Sequence, residues 1–395
     1  MLQVEKKAVA FVQRHIFWFG AAVAFVAAVL LRTALFPVAS ADYNMFLLPW
    51  YYEIVEGGGL PSLANHSANY NTAYLFLMYL STLMPVEPIV GIKLFSFLGD
   101  ALMAFAAGLL VYQTCGKIKK SVVAFLVVFL LPLTILNSAY WAQCDSIFTG
   151  FLLLALYWAL RGKWPGMFVF VGIALCFKFQ AIFFLPFLLI VYASNRKFTI
   201  FNFSIPPFIL LISGLPAVLF GAPLYTALST YMGQYENEQS VYVTYQGFAT
   251  FFRWSQSEEV RSFLILCALT ICALFFAVAL YKKRRFEGDD LILLGAWSIF
   301  VCVLFLPGMH ERYGYPGEIM LCVWFLRAPS VRRLLPTLAL YFVGFMSSAR
   351  FLLGAGPDGS VYIAMVGLAA FVYITWLLLF PQSGQKSLKD ALKPL

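Results

Sequence analysis

Charge is scarce in this sequence. Asp, Glu, Lys and Arg make up 11% of its 395 residues, against about 25% in an ordinary soluble domain, which excludes a soluble globular protein. Histidine is scarcer still, at three residues: His15, His66 and His310 lie far apart, and no second His follows His310 at helical spacing. A histidine-based zinc motif is therefore excluded. The seven cysteines contain no CxxC pair and mostly lie within apolar runs, so they read as small buried hydrophobes rather than a disulfide framework or metal site. There is no Gly-rich phosphate loop, no Ser/His/Asp triad, no chain of intramembrane acids of the kind a proton pump uses, and no internal repeat. No small-residue cleavage site follows the N-terminal apolar stretch, which is expected to be a retained helix.

What is present is apolar bulk. Hydrophobic residues make up 62% of the chain, with 41 Phe and 21 Tyr, and the mean hydropathy is +0.84. This composition predicts an all-α, polytopic membrane protein with aromatic belts. The net charge of +9 comes from short clusters between apolar segments, a pattern that fits membrane orientation and excludes a nucleic-acid surface. Apolar runs of spanning character fall near 17–38, 89–112, 121–139, 146–160, 165–177, 180–194, 204–222, 261–281, 289–306, 314–327, 332–350 and 359–380. With about 12 transmembrane helices, the Lys/Arg clusters from Lys6/Lys7 to Lys386/Lys389/Lys393 all fall on one side, expected to be cytoplasmic with both termini. The expected location is the plasma membrane, in contact with membrane lipid.

Two segments test that threading. Residues 73–84 are apolar but too short to cross, and counting them would put Lys117 to Lys120 outside; they are expected to lie along the membrane. Residues 165–194 have basic flanks on both sides and must cross twice, turning near 177–180, which places Lys178 at the outer face. The polar outliers then gather outside. Loop 39–88 carries Asp42, Glu53 and Glu56 with no Lys or Arg; the next loops carry Gln143 with Asp145 and Lys178 with Gln180; the long segment 223–260 is rich in Tyr, Gln and Asn; and loop 307–317 carries "MHERY". The chain is expected to be a single integral membrane domain over 1–395, with a module over about 1–222 and C-terminal helices over about 223–395.

These residue types have definite chemistry. Asp42 and Asp145 each precede a helical stretch, so helix capping stands beside any catalytic role. Arg312 and His310 are two residues apart and, with Lys178, could surround a lipid-borne phosphate, Arg by a bidentate fork and Lys as a point charge. Snorkelling of Lys178, and an internal pair of Glu311 with Arg312 or Lys178, are the structural alternatives. Asp100 lies within a span, seven residues after Lys93, and a Lys93–Asp100 contact inside the bundle is the favoured expectation.

"SADYNMFLLPWYYEIVEGGG", "IKLFSFLGD", "NSAYWAQCDSIFTGFLLLAL", "LCFKFQAIFFLPFLL" and "PGMHERYGYP" follow one another over most of 40–320. In that order they resemble the bacterial relatives of the GPI-anchor and dolichyl-phosphate-sugar mannosyltransferases, polytopic glycosyltransferases of GT-C fold. The resemblance implies an enzyme that transfers a hexose, mannose first, from a polyprenyl-phosphate donor to a glycan, lipid-linked or protein acceptor outside the membrane. It implies Asp42 as catalytic base and Asp145 as second acidic position. Lys178, His310 and Arg312 would lie at the donor phosphate, with Tyr43, Gln143, Gln180, Glu311 and Tyr313 as substrate contacts. A first external loop with helices lying on the membrane belongs to the same fold. No cofactor and no divalent metal are expected. The chain departs from the pattern at "NYNTAYLF", where relatives carry prolines, and at Gly308, where they carry Lys. A transporter or flippase of a lipid-linked or small polar substrate is the rival, but such proteins bind near the midplane between repeated halves, whereas the polar cluster here falls at one face.

Overall fold

The structure, a computed structural model, describes residues 3–237, 240–354 and 360–380, with the side chains of 234–237 left aside. The C-terminal group Lys386, Lys389 and Lys393 lies outside the described residues. Among the described residues all regular structure is helical, the form in which an isolated segment satisfies its own backbone inside lipid.

The chain opens with α1 (Gln3–Leu35). A compact segment follows: a π turn (Tyr43–Leu47), α2 (Leu48–Glu56), a 3-10 turn (Leu60–Ala64) and α3 (Thr72–Thr82). Next come α4 (Pro88–Cys115), α5 (Ile118–Leu130), α6 (Pro132–Ile135), a second π turn (Leu136–Tyr140), α7 (Asp145–Leu160), α8 (Trp164–Phe177) and α9 (Leu185–Asn195). Short α10 (Ile205–Ser213), α11 (Leu215–Val218) and α12 (Thr226–Asn237) precede α13 (Glu258–Tyr281), α14 (Asp289–Phe305), α15 (Tyr315–Arg327), α16 (Val331–Leu352) and α17 (Val361–Leu379).

Local chemistry sets these boundaries. Pro88 occupies the first turn of α4, where its missing N–H costs nothing, and Gly116 ends the helix at φ +60°. Ser257 caps α13 by accepting the Val260 N–H, with Glu258 and Glu259 placed favourably in the first turn. Pro132 cannot continue α5, so the chain bends by 55° there.

The protein is a polytopic membrane protein. α1, α4, α13, α16 and α17 are long and apolar enough to cross, and the bent pair 118–130 with 132–140 makes a sixth candidate. The other segments expected to span are helical, but only 9 to 17 residues long; at about 1.5 Å per residue they fall short of a hydrocarbon core about 30 Å thick. The turn expected near 177–180 is present, because α8 ends at Phe177 and Lys178 is extended. α3 is 11 residues long and packs on α2, α4 and α8.

The main core joins α4, α7, α8, α14 and α15 through residues such as Met103, Phe148, Leu152, Phe168, Phe300 and Met320. A second core belongs to the segment after α1, where Tyr43, Trp50, Tyr51, Ile54, Leu63 and Tyr74 close over Ala142, Cys144 and Ile147. That cover holds the start of α7 in place.

One expected contact is replaced. Asp100 pairs with Arg32 of α1, Nη2 to Oδ2 at 3.0 Å and both wholly buried, rather than with Lys93. Seven residues along one helix put Lys93 about 10 Å away from Asp100. Its ammonium instead donates to Leu35 O (3.1 Å) and Val38 O (2.6 Å), satisfying carbonyls at the end of α1.

Candidate active site

Asp42 lies seven residues beyond the end of α1, just before the first π turn. Its side chain caps nothing; Ser40 does that work, its Oγ accepting the Tyr43 N–H at 3.2 Å. The Asp42 carboxylate reaches across to the stretch before α7, where the Trp141 indole N–H (3.0 Å) and the Gln143 amide (2.9 Å) both donate to Oδ2. Neither bond uses Oδ1. The carboxylate is thus held on one oxygen, while its side chain keeps 15% exposure.

Asp145 is the first residue of α7, and its side chain also makes no cap. It is 1% exposed, with both oxygens engaged: Oδ1 meets the Lys178 ammonium, and Oδ2 accepts from Asn137 Nδ2 at 2.8 Å. Lys178 is itself buried and ion-paired, so it does not snorkel to the surface. Its ammonium lies 5.8 Å from the centre of the Tyr70 ring. Tyr70 in turn donates to Gln143 Oε1 at 3.3 Å, and burial pushes its phenol well above the ordinary value.

Arg312 arrives from the loop between α14 and α15. Nη1 donates to Glu311 Oε1 at 2.7 Å and stands 3.7 Å from Asp42 Oδ2, and Nε is 4.0 Å from Asp145 Oδ2. The guanidinium carbon lies 5.1 Å from the centre of the Trp141 ring, a cation–π contact that fixes its plane. Nε makes no hydrogen bond. Glu311 is pinned from beyond: the Thr244 hydroxyl donates to Oε2 and accepts the Glu311 N–H at 3.0 Å. This ties the 240–252 stretch to the loop, as do the Thr244 and Tyr245 N–H groups on Met309 O. His310 Nδ1 is 3.9 Å from Glu311 Oε2, and its ring lies 5.1 Å from that of Tyr313.

Asp42, Asp145, Lys178, Arg312, Gln143 and Glu311 are therefore brought together, with His310 and Tyr313 at the rim. Three carboxylates formally face two permanent cations, and Lys178 and Arg312 flank Asp145 rather than standing unoccupied. Tyr43 turns away into the core of the segment after α1, its phenol pushed up to about 12 chiefly by burial. Gln180 is buried in the 3-10 turn Phe179–Phe184, its Oε1 without a hydrogen-bond partner. Among the described residues no group of three or more His, Cys, Asp or Glu is placed to hold a metal ion.

Trp141, Asn137, Tyr70 and Thr244 were not foreseen as members. Trp141 and Asn137 lie inside "NSAYWAQCDS", so the signal was a polar and aromatic run at the end of an apolar one. Thr244 and Tyr70 carried no signal of their own.

Such a cluster can orient one carboxylate, surround it with hydrogen-bond donors, and present a guanidinium a few ångströms away. Among curated proteins, none matches this chain. The EpsG family model matches residues 39–363, taking in the whole acid and cation cluster with the helices that carry it. Across most of its length, then, this chain belongs to the EpsG family, a membrane glycosyltransferase-like family of GT-C-like kind.

Proposed function

We propose that the protein is an inverting glycosyltransferase that moves a hexose from a polyprenyl-phosphate-linked donor to an acceptor hydroxyl at the outer face of the membrane. Mannose is the first candidate, on the motif resemblance. The family's association with polymerase activity favours the end of a growing glycan as acceptor.

The observation that carries this reading is the one-sided grip on Asp42. Trp141 and Gln143 fix Oδ2, which leaves Oδ1 to take the acceptor hydroxyl proton. The hydroxyl oxygen then attacks the anomeric carbon from the face opposite the phosphate. The bond from that carbon to the phosphate oxygen breaks, and its electron pair leaves with the lipid phosphate. Because that leaving group departs as a stable anion, no carboxylic acid is needed to protonate it, unlike in glycoside hydrolysis. Arg312 receives the developing charge with donors that Glu311 does not use, and His310 stands at the rim beside it. Lys178 holds Asp145, and Asp145 holds Arg312 from its Nε side.

Sugar transfer from radiolabelled polyprenyl-phosphate mannose in purified membranes tests this. Asp42→Asn keeps shape but accepts no proton, and should abolish transfer while the protein still accumulates. Normal turnover in Asp42→Asn together with a dead Asp145→Asn would hand the base to Asp145. The outward placement has its own check at the two ends of α13. An impermeant thiol reagent should label Gln256→Cys and spare Arg285→Cys in intact cells; the reverse pattern would turn the site inward.

A further inference from the structure

The stretch that grips the two acids is itself held from inside the bundle. Asn137 bonds Asp145, and Trp141 and Gln143 bond Asp42. Between them lies Ser138, whose hydroxyl points the other way and donates to Asp100 Oδ2 at 2.5 Å. Asp100 Oδ2 also receives Arg32 Nε at 3.0 Å. Every nitrogen of Arg32 is engaged: Nη1 donates to Ala28 O (3.2 Å), Nη2 to Phe129 O (2.5 Å), and its guanidinium carbon lies 4.0 Å over the Phe129 ring. The Phe129 carbonyl is open to it because the chain breaks at Pro132 and the Leu133 N–H donates instead to the Tyr341 hydroxyl at 3.0 Å.

The gripped stretch is not a relaxed one. Residues 136–140 form a π turn closed by the Trp141 N–H on Leu136 O at 2.9 Å. Ala142, between the two residues that hold Asp42, sits at φ +64°, in the left-handed region that side chains avoid. Conformations of this kind persist only where their surroundings over-determine them. A buried ion pair is also a poor way to gain stability, since well-packed apolar residues of similar volume do as well or better. Its place here, joined by one hydroxyl to the turn that carries Asn137, Trp141 and Gln143, is explained by geometry.

We propose that Arg32, Asp100 and Ser138 form a buried strut that positions residues 137–143, and through them the carboxylates of Asp42 and Asp145, for transfer. The inference rests on the reading of Asp42 as base. These three are positioning residues: none touches the reacting atoms.

The test uses the full chain in nanodiscs, comparing Ser138→Ala, Ser138→Thr and Asp100→Asn with the parent. Ser138→Ala leaves the charge pair whole and should lower kcat for transfer from polyprenyl-phosphate mannose by on the order of tenfold, since misplacement by about 1 Å costs up to 10²-fold. The KM for that donor should stay within about twofold, and Ser138→Thr, which keeps the hydroxyl, should restore most of the rate. Labelling with fluorotryptophan supplies a readout independent of activity. The Trp141 fluorine signal, identified by its loss in Trp141→Phe, should move in Ser138→Ala and return in Ser138→Thr. An unmoved Trp141 signal in both Ser138→Ala and Asp100→Asn overturns the strut, and so does a loss of extractable protein with kcat per folded molecule unchanged. A fully active Asp42→Asn would instead remove the base assignment, and the Trp141 signal would still decide the strut.

Discussion

Two ionic clusters close opposite ends of the α14–α15 pair, and they are built on different rules. At the end formed by the starts of α14 and α16 with the last turn of α15, Asp289 is saturated. Arg327 Nε donates to Oδ1 at 2.7 Å and Arg333 Nη1 to Oδ2 at 2.6 Å. Further donors go to carbonyls of α4 and α15, Arg327 to Leu110 O and Arg333 to Trp324 O. Nearby, Arg284 holds Asp290 at 2.8 Å and Leu378 O at 2.9 Å. These contacts bind α4, α14, α15, α16 and α17 into one unit. At the other end, Asp42 takes both its hydrogen bonds on one oxygen, and Arg312 stands 3.7 Å off with Nε unbonded. A cluster whose carboxylate accepts on both oxygens holds helices, with Arg333 Nε left unbonded there as well. A cluster whose acid keeps one oxygen in reserve is arranged to meet something else.

Exchanging the acids is the strongest way to break that comparison. Asp42→Asn should cut transfer by about 10²–10⁴-fold, the usual worth of general-base help, with normal recovery of protein. Asp289→Asn should do the opposite, lowering the amount of folded protein extracted while activity per folded molecule stays near the parent's. Activity assays set beside thermal stability in detergent separate the two; matching profiles would erase the distinction. Next in size is Arg312→Lys, which keeps the charge and loses the planar fork against Glu311 and Trp141. A tenfold to hundredfold fall in transfer is expected, about the value of one hydrogen bond to a charged group, and kinetics against donor concentration would show it.

Thr244→Val removes both bonds between the 240–252 stretch and Glu311. The stability loss should be about 2–4 kcal/mol, seen as a lower melting temperature with a several-fold rate loss. The smallest effect belongs to Tyr70→Phe, which drops the long 3.3 Å bond to Gln143. Because burial pushes the Tyr70 phenol well above its ordinary value near 10, the hydroxyl stays a donor where a solvent tyrosine would ionise. Parent and Tyr70→Phe should therefore show rate profiles of the same shape up to about pH 10 and differ only by a small constant factor.

Much of this was legible in the sequence because the membrane sorts residues so severely. Apolar runs located the helices, and the gathering of polar outliers in a few connecting loops marked Asp42, Asp145, Lys178 and Arg312, which the fold brings together. What could not be read was pairing across distance. Asp100 was matched to Lys93 because both lie on one helix, whereas Arg32, the one charge inside the first apolar run, was its partner from 68 residues away. Tyr43 illustrates the same limit: the resemblance implied a substrate contact, yet the π turn that begins there sends its ring into the core. Two runs, 121–139 and 204–222, also read as unbroken where the chain divides, at Pro132 and between Ser213 and Leu215, although the division at Lys178 was legible from its basic flanks.

The π turn at 136–140 has a consequence for how this chain can change. Such a turn is an α-helical turn carrying one residue too many, and the surplus is absorbed locally. Deleting any one residue there would let the backbone relax into ordinary helix, with little harm to the apolar surface. Side chains beyond the turn would keep their direction, because the surplus is what the turn absorbs; those inside it, Asn137 and Ser138 among them, would be respaced and taken off Asp145 and Asp100. The protein would fold, insert and do nothing, a loss of function that alignment programs would score as a trivial gap in a hydrophobic stretch.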